Sequence, residues 1–230
     1  MPETRFSEHA ESVGASPAVE DPSVSTQQDP TVTIVPGEAG DVLLSTARTA
    51  IGQTLGRTTA HAATTVLAGT PPGWAIAPGA SFVTLKKDGR LRGCIGSFSA
   101  QRPLMEDVRA NAVAAATRDP RFAPMTSDEL PGVAIEVSVL SAPQPLRVSS
   151  LREAYAALRP GVDGVILETG PCHRATFLPQ MWQDLPDPAQ FLGHLWLKAG
   201  LAPGVWHEGT TLQTYTVRAW HEVREAPREG

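Results

Sequence analysis

Apolar side chains along this chain recur with two spacings, one of about 3.6 residues and one of about two, and the switches between them predict its elements. Asp41 can cap a helix whose inner stripe is Val42, Leu43, Ala47, Ala50, Ile51 and Leu55, with Gly56 at its end. A small, polar, Gly/Pro-rich stretch from Ala60 to Pro78 follows. Ser81 to Lys86 then reads as a strand, Asp88-Gly89 as a hairpin turn, and Leu91 onward as the returning strand. Pro103 suits the first turn of an Ala-rich helix reaching Arg118, with Leu104, Val108, Ala112 and Ala115 turned inward.

Asp119-Pro120-Arg121-Phe122 is predicted as a loop, because Pro120 disfavours helical backbone at Asp119. From Gly132 to Leu140 the alternation is strict. Val133, Ile135, Val137 and Val139 share one face and Glu136 and Ser138 the other, as in a half-buried antiparallel strand. Ser150 and Glu153 make a capping-box pattern that opens a short helix to Leu158. Gly164 to Glu168 and Arg174 to Leu178 predict a strand pair around a Gly170-Pro171 turn. Asp187-Pro188 opens a helix that buries Phe191, Leu192, Leu195 and Ala199 and closes at Gly200, and Thr211 to Trp220 predicts a last strand. Strands that come as hairpins between helices favour an α+β fold, a mostly antiparallel sheet with flanking helices, over a parallel α/β sheet.

Composition adds boundaries and exclusions. Residues 1–37 are rich in Ser, Pro, Glu, Asp and Gln, with too little apolar surface to offset their ordering entropy, so a disordered N-terminal tail is expected there. The domain is expected over 38–222, with 223–230 as a C-terminal tail. The 230 residues carry a net charge of −5 and no block of Lys and Arg, so no nucleic-acid partner is expected. No run approaches the roughly 18 apolar residues of a membrane helix. Met1 to Gly14 lacks the apolar core of a secretory signal, so a cytoplasmic location without a membrane partner is expected. Two cysteines, Cys94 and Cys172, share no CxxC spacing, which argues for free thiols rather than a disulfide framework or structural zinc. No metal and no cofactor is expected; P-loop, GxGxxG and Ser-His-Asp patterns are not found.

The chemistry concentrates on Leu91-Arg-Gly-Cys-Ile-Gly96. Strict alternation puts Arg92, Cys94 and Gly96 on one face and Leu91, Gly93 and Ile95 on the other. With Leu91 and Ile95 in the core, Cys94 faces away from it, beside a guanidinium two residues back. A permanent positive charge stabilises a thiolate. An unperturbed thiol, with a pKa of about 8.5, is only slightly ionised at neutral pH, and nucleophilic or redox thiols need a larger thiolate fraction. Glycine inside a strand marks a bulge or a close approach by a ligand, which makes Gly93 and Gly96 candidate substrate-binding positions. The competing reading is a small inert core cysteine in a glycine-kinked strand.

The run Phe82-Val-Thr-Leu-Lys-Lys-Asp-Gly-Arg-Leu-Arg-Gly-Cys-Ile-Gly96 closely resembles the signature of the AMMECR-type domain, known in bacteria as protein A of the AmmeMemoRadiSam system. The likeness continues through Arg102-Pro-Leu, Asp119-Pro-Arg-Phe122, Ile135-Glu-Val-Ser-Val-Leu140, Phe177-Leu-Pro-Gln180 and Lys198-Ala-Gly-Leu201, in order, from Asp41 to Glu222. The resemblance implies an α+β fold with a larger and a smaller lobe around a cleft lined by the cysteine segment. It also implies Memo-like and radical S-adenosylmethionine protein partners. It supplies no reaction.

Asp119 and Arg121 could pair in a helix-terminating turn or bind an anionic or amide substrate. Glu136 could bridge to Arg92, act as a general base, or be an ordinary solvated strand residue. Cys172-His173 offers metal-ligand types but reads as a surface turn. His194 and Lys198 share a helix face, and His61 lies in the small polar stretch. Trp182, Trp196, Trp206 and Trp220 read as partly buried anchors more readily than as stacking surfaces. The leading expectation is a cleft enzyme in which Cys94 is nucleophile or acceptor thiol, tuned by Arg92, acting by transfer or condensation on a small-molecule or partner-derived substrate. The alternative is a non-catalytic binding or scaffold protein of the same system.

Overall fold

The structure, a computed structural model, describes residues 35–57 and 71–222. Most of the expected N-terminal tail, the expected C-terminal tail and His61 lie outside them. Helix α1 (Gly40–Thr54) follows a 3-10 turn at Gly37–Ala39 and starts one residue before the expected cap. Asp41 sits in its first turn instead, where a carboxylate favours the positive end of the helix dipole. Gly40 leaves room for Trp220, whose ring lies where a Cβ would stand and whose Nε1 donates to the Gly37 carbonyl at 2.8 Å.

A one-turn helix α2 (Gly73–Ile76) interrupts the Gly/Pro-rich stretch and leads into β1 (Pro78–Lys87). Asp88 and Gly89 turn the chain with φ of 51° and 73°, the left-handed pair whose twist suits a two-residue hairpin, and β2 (Arg90–Gly96) returns. Two residues, β3 (Arg102–Pro103), pair with the start of β1 just before α3 (Leu104–Thr117). β4 (Val133–Leu140) alternates as its sequence predicts. With β9 (Val217–His221) these strands form a sheet in the order β2-β1-β4-β9. Leu43, Ala47 and Ile51 of α1 and Leu104, Val108 and Ala112 of α3 cover one face, packed in one core with Val83, Leu85, Ile135 and Val137. Burying each large aliphatic side chain contributes about 1.5–3 kcal/mol, which fixes this face as the inner one.

The strand expected from Thr211 to Trp220 is two strands in two sheets. β8 (Thr210–Tyr215) belongs to a second sheet and β9 to the first, with the change at Thr216. The chain leaving β4 for β5 (Gln144–Leu146) changes sheet at the same place. There Ser141 N–H donates to the Thr216 carbonyl at 2.9 Å, and Thr216 N–H donates to Ser141 Oγ at 3.0 Å. Alternation of side chains persists through such a bend, because it is blind to which neighbour takes the backbone hydrogen bonds.

The second sheet runs β5-β8-β6-β7, with β6 (Gly164–Thr169) and β7 (His173–Phe177), and every strand pair in both sheets is antiparallel. Helix α4 (Leu151–Ala157) is capped by Ser150 Oγ, which accepts from Glu153 N–H at 3.3 Å, while the Glu153 carboxylate reaches Ser149 N–H at 2.7 Å. Helix α5 (Pro188–Lys198) opens on the Asp187 carboxylate, which accepts from Gln190 N–H at 3.0 Å, and ends before Gly200 at φ 76°. Phe191, Leu192, Leu195 and Trp196 pack in this core with Val165, Leu167 and Leu212. Trp182 stacks on Phe191 with centroids 3.8 Å apart and donates to the Asp163 carbonyl, and Trp196 donates to that of Val205, so both are anchors. No described helix is long and apolar enough to cross a membrane.

Candidate functional site

Cys94 lies on β2, which among the described residues pairs with β1 alone and forms an edge of the main sheet. Its own N–H and C=O are taken up by side chains. The N–H donates to the Asp119 carboxylate at 2.8 Å, and Arg121 donates to the C=O at 3.2 Å. A free strand edge at this residue is thus closed by an Asp-Arg pair standing where another strand would bond. Asp119 is 4% exposed and also accepts from Arg121 at Nε (2.9 Å), at the terminal nitrogen (2.7 Å) and at the backbone N–H (3.1 Å). The Arg121 hydrogen bond is the main cause that holds the Asp119 carboxyl well below the usual carboxylate range; burial opposes it, and the N–H groups of Cys94 and Arg121 reinforce it. Arg121 is pushed up in turn, by Asp119 first and with a contribution from the Cys94 sulfur.

The sulfur is half-buried and accepts a hydrogen bond from Thr84 Oγ1 at 3.3 Å. Cys94 pairs with Thr84, Thr84 with Glu136, and Glu136 with His221, so four side chains form a row across the sheet on one face. Gly93, next to Cys94, points to the helices on the other face. Glu136 of this row ion-pairs with Lys86, outside it, at 3.0 Å.

The placement of Arg92 departs from strict alternation. Leu85 pairs with Gly93 and Lys86 with Leu91, which leaves Arg92 as the extra residue of a β-bulge. Its guanidinium donates to the Glu129 carboxylate at 3.1 and 3.0 Å and to the Ala123 carbonyl at 3.0 Å, in the loop after α3. Arg92 and Glu136 therefore do not meet, each holding a partner of its own. Leu91, expected in the core, is exposed for the same reason, whereas Ile95 packs against the core. Phe122 lies between the two guanidiniums, its ring centroid 5.9 Å from Arg92 and 5.5 Å from Arg121. On the side where a Cβ would stand, Gly93 meets the backbone carbonyl of Ala115 and Gly96 meets the ring of Phe82. The close approach expected of a ligand at these glycines is, on that side, made by the chain itself.

Sequence reasoning passed over Thr84, Glu129 and a buried polar hub. The Arg92 hydrogen bond, ahead of the Thr126 N–H and Lys87, lowers the Glu129 carboxyl to about 2. In the hub, Asp107 is 1% exposed and accepts from Ser81 N–H (2.8 Å) and Oγ (2.7 Å), Ser97 Oγ (2.8 Å), Arg102 Nε (2.9 Å) and Asn111 Nδ2 (2.8 Å). A signal existed, since Asp107 and Asn111 fall on the same helical stripe as Leu104, Val108 and Ala112. Polar residues on an apolar stripe are buried only with hydrogen bonds. Away from this region, Cys172 and His194 are exposed, His173 Nδ1 is 2.8 Å from the Ala199 carbonyl, and Lys198 donates to the Thr176 carbonyl. Among the described residues no group of three or more His, Cys, Asp or Glu is placed to hold a metal ion.

Two antiparallel sheets with separate cores, and an edge-strand cysteine whose backbone is clamped by an Asp-Arg pair, define the class of protein. The AMMECR1 family profile matches residues 44–220, and the chain belongs to that family. A protein of Methanothermobacter thermautotrophicus is 41% identical over 143 residues, which are 61% of this chain and 74% of that protein. One from Methanocaldococcus jannaschii is 38% identical over 138 residues, 59% of this chain and 68% of its own length. The crystal structure of an uncharacterized protein from Pyrococcus horikoshii superposes with a TM-score of 0.65 at 31% identity, covering 85% of this chain and 96% of that one.

Proposed function

We propose that this AMMECR1-family protein is a cleft enzyme that works through the Cys94 thiolate on a small molecule or partner-derived substrate, in a pathway with Memo-like and radical S-adenosylmethionine proteins. The observation that carries the reading is the clamp on Cys94. Its N–H and C=O are both fixed by Asp119 and Arg121, and Thr84 Oγ1 holds the sulfur. A nucleophile gains from being held in one orientation, since positioning removes entropy from the reaction barrier. The sulfur attacks an electrophilic carbon to form an S–C bond, the leaving group departs with the bonding pair, and a second nucleophile then takes the carbon and restores the thiolate. Arg121, near the sulfur, balances its negative charge, and Glu136, two strands away on the same face, is the candidate base. Arg92 acts at a remove, holding the bulge and the Glu129 loop.

Intact-protein mass spectrometry after limiting iodoacetamide at graded pH tests the reading. Cys94 is expected to alkylate faster than a model thiol near neutral pH, with exposed Cys172 as the reference in the same molecule. A Cys94 that reacts no faster than the model thiol overturns the activated thiolate. A Cys94→Ser chain that keeps its fold and all function overturns the enzyme.

A further inference from the structure

Next to the hub lies a pocket of about 380 Å³, within the size range of small-ligand sites. Arg102, just before α3, and Arg174, on β7 of the second sheet, both line it. Each guanidinium is ion-paired through Nε with a carboxylate, Arg102 with Asp107 at 2.9 Å and Arg174 with Glu168 at 2.8 Å. Their side chains remain 45% and 61% exposed, and among the described residues no other protein group bonds either one. Asp107 is the lone carboxylate of the lining, and its oxygens are already taken by Ser81, Ser97, Arg102 and Asn111. Phe98 adds an apolar wall, 40% exposed although its ring meets Phe82 edge-on at 4.9 Å.

We propose that this pocket binds a small organic oxyanion, a carboxylate or a phosphate ester with a flat apolar body. The terminal nitrogens of Arg102 and Arg174 take the oxygens, in the planar fork geometry that suits both groups, and Phe98 takes the body. Two guanidiniums from two different sheets line one pocket, each held by a carboxylate at Nε with its terminal nitrogens left without a protein partner among the described residues, and an oxyanion is the ligand that suits those donors. The site goes beyond the thiol reading and does not depend on it, because Cys94 is not part of the lining. Its position suits substrate capture all the same: Ser97 follows the cysteine strand directly, and the Phe82 ring that Phe98 touches covers Gly96.

Titrating phenyl phosphate and benzoate separately into the full chain, followed by amide NMR shifts, tests the pocket. Saturable shifts at Ser97, Phe98, Arg102 and Arg174 are expected for at least one probe, and the stronger of the two tells phosphate from carboxylate. Arg174→Gln removes an exposed side chain whose partner among the described residues is Glu168, and is expected to weaken binding by about fivefold or more. Phe98→Ala is expected to weaken both probes. Failure of both to saturate these residues by about 20 mM overturns the proposal, as does unchanged affinity in Arg174→Gln. The readout is binding rather than turnover, so its failure leaves the Cys94 reading standing, and the reverse.

Discussion

Replacing Gly93 with alanine is expected to destabilise the chain, although local preference points the other way. Glycine in a strand interior costs about 0.5–1 kcal/mol relative to alanine, so the substitution gains that much if the site has room. It has none. The new Cβ would stand 3.1 Å from the Ala115 carbonyl carbon and less than 3.0 Å from its oxygen, and both are backbone atoms of α3. Relief requires β2 and α3 to separate by about 1 Å, and overpacking of this kind costs about 1–3 kcal/mol. The same shift loosens the Cys94 N–H bond to the Asp119 carboxylate, a further loss of about 1 kcal/mol for a charged acceptor. The net expectation is a loss of about 2 kcal/mol, or a fall in Tm of about 4–8 °C for a chain of this size. Urea unfolding followed by tryptophan fluorescence, alongside thermal unfolding, measures it. Gly132→Ala is the control, since nothing lies within 4 Å of the added Cβ and its φ is not positive. A Gly93→Ala chain as stable as the native one, or more so, refutes the tight approach of α3 to the cysteine strand.

Two further expectations concern paired carboxylates. Glu129 is lowered to about 2 in the folded chain, chiefly by Arg92, from an ordinary value of 4.5. A depressed carboxyl contributes stability that is fully present above its unfolded value and is lost as pH falls toward the folded one, and Asp119 acts in the same direction. The deficit of Glu129→Gln in urea unfolding is therefore expected to shrink by about half or more between pH 7 and pH 3; a deficit of equal size at both would rule the linkage out. Asp107→Ala strips the buried Ser81 and Asn111 donors of their acceptor and is expected to cost about 3 kcal/mol or more, whereas Arg102→Gln, at the open end of the same pair, costs about 1 kcal/mol or less. Equal costs in equilibrium unfolding would mean that Asp107 is not the hub.

The sequence by itself determined most of the elements and most of their faces. The alternation of Val133 to Val139 placed Glu136 on the outer face of β4, Asp88-Gly89 set the β1–β2 hairpin, and the stripes of α1, α3 and α5 named most of both cores. The family was legible too, because six motifs in fixed order are a specific pattern. These are local signals, set by side-chain period and by turns that admit few residue types. The aim of Arg92 was not local. One inserted residue in β2 changes which loop its guanidinium reaches, and Glu129 arrives from 37 positions away only after α3 has folded back. The same holds for the sheet change at Thr216, where β8 and β9 continue one alternating pattern but bond to different neighbours. Tertiary structure also decided that Asp119 and Arg121 clamp the Cys94 backbone and that Arg174 joins Arg102 across two sheets. Periodicity can tell which way a side chain points; what it meets depends on the return path of the rest of the chain.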